Sequence, residues 1–173
     1  MSQIALITGG ATGIGAEVAR QLAEGGTKVA ICDINSAAGE VLANETGGIF
    51  ISCDVTSLAS VQQAVATCTE QLGVPDFAHL NAGIMTVPTN APYLAIEDVS
   101  EAQYRKIVGV NLDGIFHGVK ALLPKMREKG GGITITASTA GLGVVPVDPM
   151  YTATKYALVG FGRAVAAANA GGN

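Results

Sequence analysis

Short apolar runs alternate along the chain with longer segments in which apolar residues recur every three or four positions. The short runs are typical of buried parallel strands, and they occupy residues 4–8, 28–33, 49–54, 76–80 and 133–138. The longer segments predict helices, as in the first of them, where Ile14, Val18 and Leu22 recur at every fourth position. These three residues are expected to form the buried face of that helix.

Capping and stop signals set the predicted helix boundaries. Gly25 follows the first helix, and Asn35 or Ser36 can cap the second. The Ser-Glu-Ala-Gln sequence at residues 100–103 has the spacing of a capping box and opens a long helix, interrupted by glycines and a proline, that runs to residue 129. The last helix is predicted over residues 151–168, before a terminating tail at 171–173.

The alternation of strands and helices predicts right-handed crossovers and a parallel sheet covered by helices on both faces. Neither an internal repeat nor a linker interrupts this pattern, so we expect a single domain over residues 1–173. The longest irregular segment is residues 81–98, and long loops inside compact domains commonly carry function.

Composition restricts the class of protein. The 173 residues are 49% hydrophobic and 14% charged, with a mean hydropathy of +0.40, which excludes intrinsic disorder. A net charge of −4 and a pI near 5.0 argue against nucleic acid or an anionic membrane as the main partner. No apolar stretch approaches the ~20 residues that span a bilayer, and the start of the chain lacks a basic signal-peptide region, so we expect a cytoplasmic protein.

No set of residues has the spacing of a metal site. Cys32, Cys53 and Cys68 form no CxxC pair, and we expect them to be buried free thiols. His79 and His117 have no serine or cysteine placed as a nucleophilic partner, so both are predicted to be structural. The absence of a GxSxG motif around the candidate serine argues against a hydrolase.

The strongest local motif is the glycine-rich segment Thr-Gly-Gly-Ala-Thr-Gly-Ile-Gly at residues 8–15, between the first strand and the first helix. Glycines there permit a tight turn, and the backbone amides at the helix N-terminus can bind a pyrophosphate. The segment predicts cofactor contacts from Gly9, Thr12, Gly13, Ile14 and Gly15.

Asp33 lies eighteen positions after Gly15, at the end of the second predicted strand. A carboxylate there can accept hydrogen bonds from the adenosine ribose, and it repels a 2′-phosphate. No lysine or arginine occurs in residues 8–19 to hold such a phosphate, so the sequence predicts NAD rather than NADP. The alternative is that Asp33 only caps the start of the following loop or helix.

The glycine spacing resembles the TGxxxGIG motif of the short-chain dehydrogenase/reductase family, and further motifs follow in order over residues 3–168. Asp-Val at 54–55, Asn-Ala-Gly at 81–83 and the mid-helix Asn111 resemble three of them, although Leu80 stands where the family usually has asparagine. Ser138 precedes Tyr151 and Lys155, which resemble the YxxxK motif.

The resemblance implies an α/β fold with a Rossmann-like, doubly wound parallel sheet of strand order 3-2-1-4-5. It implies further cofactor contacts from Asp54, Val55, Asn81, Ala82, Gly83, Tyr151 and Lys155. It also implies a catalytic set of Asn111, Ser138, Tyr151 and Lys155. Family members continue past the YxxxK helix into later strands and a substrate lid that this chain lacks. We therefore expect part of a longer protein, with a short form completed by oligomer contacts or a non-catalytic remnant as alternatives.

Tyr151 and Lys155 are four positions apart on a helix, which places both side chains on one face. Because an ammonium stabilises a phenolate, Tyr151 is expected to take the proton from a substrate hydroxyl as hydride passes to the nicotinamide. Ser138 is expected to orient the substrate oxygen, and no metal is needed. By resemblance, Lys155 also binds the nicotinamide ribose and Asn111 holds a water in a proton relay. From the residues alone, a capped kink explains Asn111 better.

The predicted function is an NAD(H)-dependent oxidoreductase that interconverts a secondary alcohol and a ketone. A dinucleotide-binding module without turnover is the main alternative, and an epimerase or dehydratase on the same scaffold is another. The apolar loop at 141–146, with Met150 and residues 90–94, favours an apolar or ring-bearing substrate. The resemblance suggests a homodimer or homotetramer packed through the long helix and the YxxxK helix.

Overall fold

A computed structural model describes residues 2–88 and 90–170 of the chain. Its strands, in chain order, are β1 (Ile4–Thr8), β2 (Lys28–Asp33), β3 (Ile49–Ser52), β4 (Phe77–Leu80) and β5 (Gly132–Ile135). Its α-helices are α1 (Gly13–Glu24), α2 (Ser36–Thr46), α3 (Leu58–Gln71), α4 (Glu101–Val108), α5 (Gly114–Lys129) and α6 (Pro149–Asn169). A π-helix spans Gly109–Asp113, and short 3-10 helices span Ile96–Asp98 and Thr139–Gly141.

The strands form one parallel sheet in the order β3-β2-β1-β4-β5. In the central register, Ile7 of β1 lies opposite Ile31 of β2 and His79 of β4. Every residue of β1 is buried, which is typical of a central strand covered on both faces. The sheet confirms the predicted α/β fold class and its strand order.

The chain divides into two compact units. The sheet unit comprises Met1–Ala82 and Gly114–Thr136, and it contains all the strands above with α1, α2, α3 and α5. The helical unit comprises Gly83–Asp113 and Ala137–Asn173, and it contains α4, the π-helix, both 3-10 helices and α6. The single domain over residues 1–173 stays a prediction.

Small residues form the buried face of α1. Gly15, Ala16 and Ala19 are buried, and Val18 and Leu22 pack beside them against the core. The prediction that the first-turn isoleucine belongs to this face is wrong, because Ile14 is 65% exposed. Small side chains let the helix lie close to the sheet, whereas Ile14 points away from the sheet unit's core.

Several predicted strand boundaries differ by a few residues. β3 ends at Ser52 rather than at residue 54, because Asp54 already belongs to a turn in which its Oδ1 accepts from the Thr56 amide at 2.9 Å. β4 begins at Phe77 instead of residue 76. β5 spans 132–135 rather than 133–138, although the Thr136 amide still donates to the Leu80 carbonyl at 3.0 Å.

The last helix begins earlier than predicted and ends one residue later, at Pro149 and Asn169. Asp148 occupies the N-cap, and proline is favourable in a first helical turn because its missing N–H has no partner there. The predicted terminator at 171–173 lies outside the described residues. In the part of the chain that is described, no helix is long and apolar enough to cross a membrane.

The long interrupted helix is in fact two α-helices joined by a π-helix. α4 begins at the predicted capping box, in which the Ser100 side chain accepts from the Gln103 amide and Gln103 Oε1 accepts from the Ser100 amide. α5 follows the π-helix and includes Pro124 within it. Asn111 lies in the π-helix, so the interruption has a defined geometry.

Candidate active site

The glycine-rich turn joins β1 to α1 in the sheet unit. Gly9 and Gly13 have φ angles of +61° and +56°, which favour glycine. A Cβ at Gly9 would lie 2.7 Å from the Cα of Ala82, and a Cβ at Gly15 would overlap the carbonyl oxygen of Gly9. Glycines 9 and 15 therefore permit close backbone packing, whereas a Cβ at Gly13 would meet open space.

The N-terminus of α1 fits the phosphates of a dinucleotide. Thr12 at its N-cap makes no side-chain capping hydrogen bond, so no cap side chain satisfies the amides of the first turn. These amides and the helix dipole favour an anion at this position. A Cβ at Gly13 would meet no atom within 4 Å, and Ile14 is exposed, so the first turn of α1 is accessible from outside the sheet unit.

Asp33 is held beside the glycine-rich turn. Its Oδ2 accepts from the Ala11 amide at 3.0 Å, and its Oδ1 accepts from the Asn35 amide at 3.0 Å. The bond from Asn35 is the contact expected if Asp33 only caps its own loop. The bond from Ala11, by contrast, orients the carboxylate toward the glycine-rich turn. Because a carboxylate has about four acceptor positions, these two bonds leave capacity for ribose hydroxyls.

Asn81 connects β4 to the glycine-rich turn. Its Nδ2 donates to the Gly9 carbonyl at 3.1 Å, and its Oδ1 accepts from the Thr136 hydroxyl at 3.1 Å. The Thr8 hydroxyl accepts from the amides of Asn81 and Ala82, at 3.1 and 3.4 Å. The side chain of Asn81 thus supports the turn. Our sequence interpretation missed Thr8, whose signal is a polar residue ending a buried strand.

Asp54 and Val55 follow the end of β3. Asp54 is exposed and accepts from the Thr56 hydroxyl at 2.7 Å, so a local turn orients its carboxylate. Val55 is buried, and its carbonyl lies 2.9 Å from Nδ1 of His117. This hydrogen bond joins His117 of α5 to the segment after β3, and a structural role for His117 stays a prediction. Gly83, the last residue of the predicted Asn-Ala-Gly motif, is exposed in the helical unit.

Lys155 and Tyr151 lie together on α6 in the helical unit. Lys155 is only 2% exposed, and its Nζ lies 5.5 Å from the centroid of the Tyr151 ring. Burial lowers the pKa of the Lys155 ammonium. The predicted pair therefore shares one helix face, with the positive charge next to the phenol ring.

Ser138 lies in a short turn that packs against α6. It is the N-cap of the 3-10 helix Thr139–Gly141, and its Oγ accepts from the Ala140 amide at 3.1 Å. This bond leaves the serine O–H to act as a donor. A Cβ at Gly141 would lie 2.7 Å from the Lys155 carbonyl oxygen, so glycine permits this packing.

Asn111 is fully buried and forms a link within the helical unit. Its Oδ1 accepts from the Ile84 amide at 2.8 Å, and its Nδ2 donates to the Ile84 carbonyl at 2.9 Å and to Thr154 Oγ1 at 3.1 Å. The side chain ties the π-helix to residue 84 and to α6. These bonds give the interruption of the long helix a structural cause.

Two residues of the helical unit were absent from the sequence interpretation. Asp148 is 3% exposed, and its carboxylate accepts from the amides of Thr86 and Tyr151, both at 2.9 Å. Asp-Pro directly before a helix is the signal that could have found it. Thr86 lies in the long irregular segment, where the sequence offers no comparable signal.

The model of a family described as short chain dehydrogenase matches residues 3–172. The chain belongs to the short-chain dehydrogenase family.

Curated members of the short-chain dehydrogenase family are longer than this chain. Zerumbone synthase of Zingiber zerumbet is 33% identical over 173 residues, which cover 95% of this chain and 62% of that protein. The 3-alpha-(or 20-beta)-hydroxysteroid dehydrogenase of Mycobacterium bovis is 34% identical, and the match covers 96% of this chain and 63% of that protein. The chain thus spans about three-fifths of the length of the curated relatives it matches.

A solved structure with a bound dinucleotide has the same fold. It is a short chain dehydrogenase/reductase from Burkholderia phymatum in complex with NAD. The two chains are 28% identical, with a TM-score of 0.92 over 99% of this chain and 62% of that chain.

Proposed function

We propose that this short-chain dehydrogenase is an NAD(H)-dependent oxidoreductase that interconverts a secondary alcohol and a ketone. The observation that carries the proposal is the buried Lys155 ammonium, 5.5 Å from the centroid of the Tyr151 ring. Such a charge stabilises the phenolate that a tyrosine base requires. The family supports dehydrogenase or reductase chemistry over a purely structural role for the pair.

In this proposal the sheet unit binds the adenosine half of NAD. The first-turn amides of α1 donate to the pyrophosphate, and Asp33 accepts from the ribose hydroxyls and repels a 2′-phosphate. Further contacts come from the glycine-rich turn and the ends of β3 and β4, at Gly9, Thr12, Gly13, Ile14, Gly15, Asp54, Val55, Asn81, Ala82 and Gly83. Bound NAD supplies the hydride acceptor, and NADH supplies the donor.

Tyr151 acts as the acid and base at the substrate oxygen. It takes the hydroxyl proton during alcohol oxidation and returns it during ketone reduction. Lys155 stabilises the phenolate and binds the nicotinamide ribose, and Ser138 donates a hydrogen bond to the substrate oxygen. Asn111 takes part in a proton relay from Lys155 through a water.

The substrate we propose is apolar or ring-bearing. In the helical unit, Leu142 and Val144 follow Ser138 closely in the chain and are 71% and 77% exposed, so their side chains are accessible to an apolar ligand. Apolar side chains bind hydrocarbon surface better than they bind a sugar. A relative named as a hydroxysteroid dehydrogenase agrees with this class.

We further propose a homodimer or homotetramer in the cytoplasm, packed through α5 and α6. Phe116 on α5 and Tyr156 on α6 are 45% and 44% exposed, and large exposed apolar side chains are common at interfaces. Sedimentation analysis of the protein tests the oligomeric state.

The proposed reaction is tested with Tyr151→Phe, and Tyr156→Phe is the matched control. Tyr151→Phe is expected to lower kcat by about 10²- to 10⁴-fold because it removes the acid and base, with unchanged NADH affinity. Tyr156→Phe, which changes an exposed tyrosine on the same helix, should leave both unaltered. NADH absorbance over a panel of secondary alcohols measures turnover, and nicotinamide fluorescence measures binding without interference, since the sequence has no tryptophan.

Two other outcomes would support the alternatives. Saturable NADH binding without turnover of any alcohol or ketone, even in the unaltered protein, identifies a dinucleotide-binding module. Conversion of substrate with no net change in NADH identifies an epimerase or dehydratase.

A further inference from the structure

Asp148 is a buried carboxylate to which the proposed reaction assigns no role. It is 3% exposed and lies at the N-cap of α6, three residues before Tyr151. Within residues 2–88 and 90–170, no ion pair involves Asp148. A buried charge without a cation must be stabilised by hydrogen-bond donors.

Three donors meet this carboxylate. Oδ1 accepts from the Thr86 hydroxyl at 2.6 Å and from the Tyr151 amide at 2.9 Å, and Oδ2 accepts from the Thr86 amide at 2.9 Å. The short O–H···O distance is typical of a charge-assisted hydrogen bond. Because both oxygens are bound, the carboxylate cannot rotate without breaking a bond. Residue 86 is thereby attached to the first turn of α6.

The backbone of Tyr151 is held at both ends. Its amide donates to Asp148, and its carbonyl accepts from Thr154 Oγ1 at 2.8 Å. The same Thr154 oxygen accepts from Asn111 Nδ2 at 3.1 Å. The backbone of a residue sets where its side chain begins, so these bonds determine where the phenol of Tyr151 can reach.

We propose that Asp148 is a positioning residue for Tyr151, with Thr86 as its partner. Asp148 locks the first turn of α6 to the segment around residue 86, so that the phenol keeps one orientation. This inference rests on the proposed function, since it assigns to Asp148 the placement of the acid and base. A displacement of about 1 Å in a reacting group can lower a rate by ~10²-fold.

The cap of α4 provides a matched control. Ser100 also accepts from an amide three residues ahead, at 3.2 Å, but its bonds stay within one exposed turn. Ser100→Ala removes a helix cap whose hydrogen bonds go only to Gln103 and not to Tyr151. Any loss common to both cap variants therefore measures helix capping alone.

The first test compares steady-state kinetics of the protein and its variants below their melting temperatures. Asp148→Ala should lower kcat by about 10- to 100-fold while the KM for NADH stays unchanged. Asp148→Asn should lower kcat less than Asp148→Ala does, because its side-chain amide oxygen still accepts from the Tyr151 N–H. Thr86→Val should show part of the same loss of kcat, and Thr86→Ser, which keeps the hydroxyl, should retain the kcat of the unaltered protein. Combining Asp148→Asn with Thr86→Val should cost less than the product of the two single effects.

The second test does not depend on activity. Fluorotyrosine is incorporated, and the Tyr151 resonance is assigned from its loss in Tyr151→Phe. One sharp fluorine signal in the unaltered protein and in Ser100→Ala, with a shifted or split signal in Asp148→Ala, supports the proposal. An unchanged signal in Asp148→Ala overturns it, as does a kcat loss no larger than that of Ser100→Ala. If the unaltered protein turns over no alcohol, the proposed function fails and the fluorine signal alone decides the role of Asp148.

Discussion

At the residue scale, the local environment decides what each motif residue can do. The spacing of Tyr151 and Lys155 predicts a shared helix face, and the structure adds that the lysine is buried. Asp33 accepts hydrogen bonds both from its own loop, at Asn35, and from the glycine-rich turn, at Ala11. The local contact is therefore present, and ribose binding by Asp33 stays a prediction. The spacing of two residues on a helix predicts the direction of their side chains, whereas their burial and their hydrogen-bond partners depend on the rest of the fold.

Gly15 gives a sharp prediction at this scale. In Gly15→Ala the new Cβ overlaps the Gly9 carbonyl oxygen and lies 2.8 Å from Asn81 Nδ2, so the turn must shift. We expect NADH affinity to fall at least ~10-fold, as a loss of about 1.4 kcal/mol produces.

Gly160→Ala is the control for this change. Gly160 is an exposed position in α6 with no neighbour within 4 Å of an added Cβ. Alanine there should keep NADH affinity and raise the free energy of unfolding by about 0.5–1 kcal/mol. Fluorescence titration and urea unfolding measure the two quantities, and equal NADH affinity in Gly15→Ala would show that the turn does not bind the dinucleotide.

At the element scale, contacts distant in sequence reshape what local signals predict. Glycines around residues 109–118 predict an interrupted helix, but they do not specify a π-helix. That geometry accompanies the buried Asn111, whose side chain bonds to Ile84, 27 residues earlier. By contrast, the capping box at Ser100 was predictable, since its partners lie within one turn.

Asp76 joins three elements of the sheet unit and gives a pH prediction. It lies just before β4, its Oδ2 accepts from the Ile4 amide at 2.8 Å, and its Oδ1 pairs with Lys129 Nζ at 2.8 Å at the end of α5. The hydrogen bond from Lys129, followed by that from Ile4, holds the pKa of the Asp76 carboxyl below its usual range. Folding therefore favours the ionised carboxylate, and this stabilisation is lost as pH falls through the lowered pKa.

Asp76→Asn should lower the free energy of unfolding by about 1 kcal/mol at neutral pH, because the pair is partly exposed. The difference from the unaltered protein should shrink below about pH 4, where the unfolded carboxyl is protonated. Urea unfolding across this range measures it. Glu101→Gln, which disrupts an exposed i,i+4 pair with Arg105, should change stability by less, and a constant Asp76→Asn effect at every pH would contradict the assignment.

At the scale of the whole molecule, the sheet order places the glycine-rich turn, Asp33 and Asp54 at the carboxyl ends of neighbouring strands β1, β2 and β3. Ligands of open α/β sheets bind outside these ends. The chain retains this edge although it spans about three-fifths of its curated relatives' length. Binding of a dinucleotide should therefore be measurable on the folded protein as a whole.

Dinucleotide binding should raise the thermal stability of the protein. At 100 times its dissociation constant, NADH should stabilise the folded state by about 2.7 kcal/mol and raise Tm by about 5–10 °C. NADPH at the same concentration should raise Tm less, because Asp33 repels the 2′-phosphate. In Asp33→Ala the difference between the two cofactors should disappear. A larger shift with NADPH in the unaltered protein would reverse the cofactor assignment.

The strands, most helix starts, the glycine-rich turn and the family motifs can be predicted from the sequence, because each depends on periodicity or on partners a few residues apart. The burial of Lys155, the exposure of Ile14 and the hydrogen bonds of Asp148 depend instead on how distant parts of the chain pack together. The Thr86 partner of Asp148 lies 62 residues away in the chain. Such contacts form when packing excludes water from particular side chains. A local pattern of residue types does not show which distant residue will become the partner.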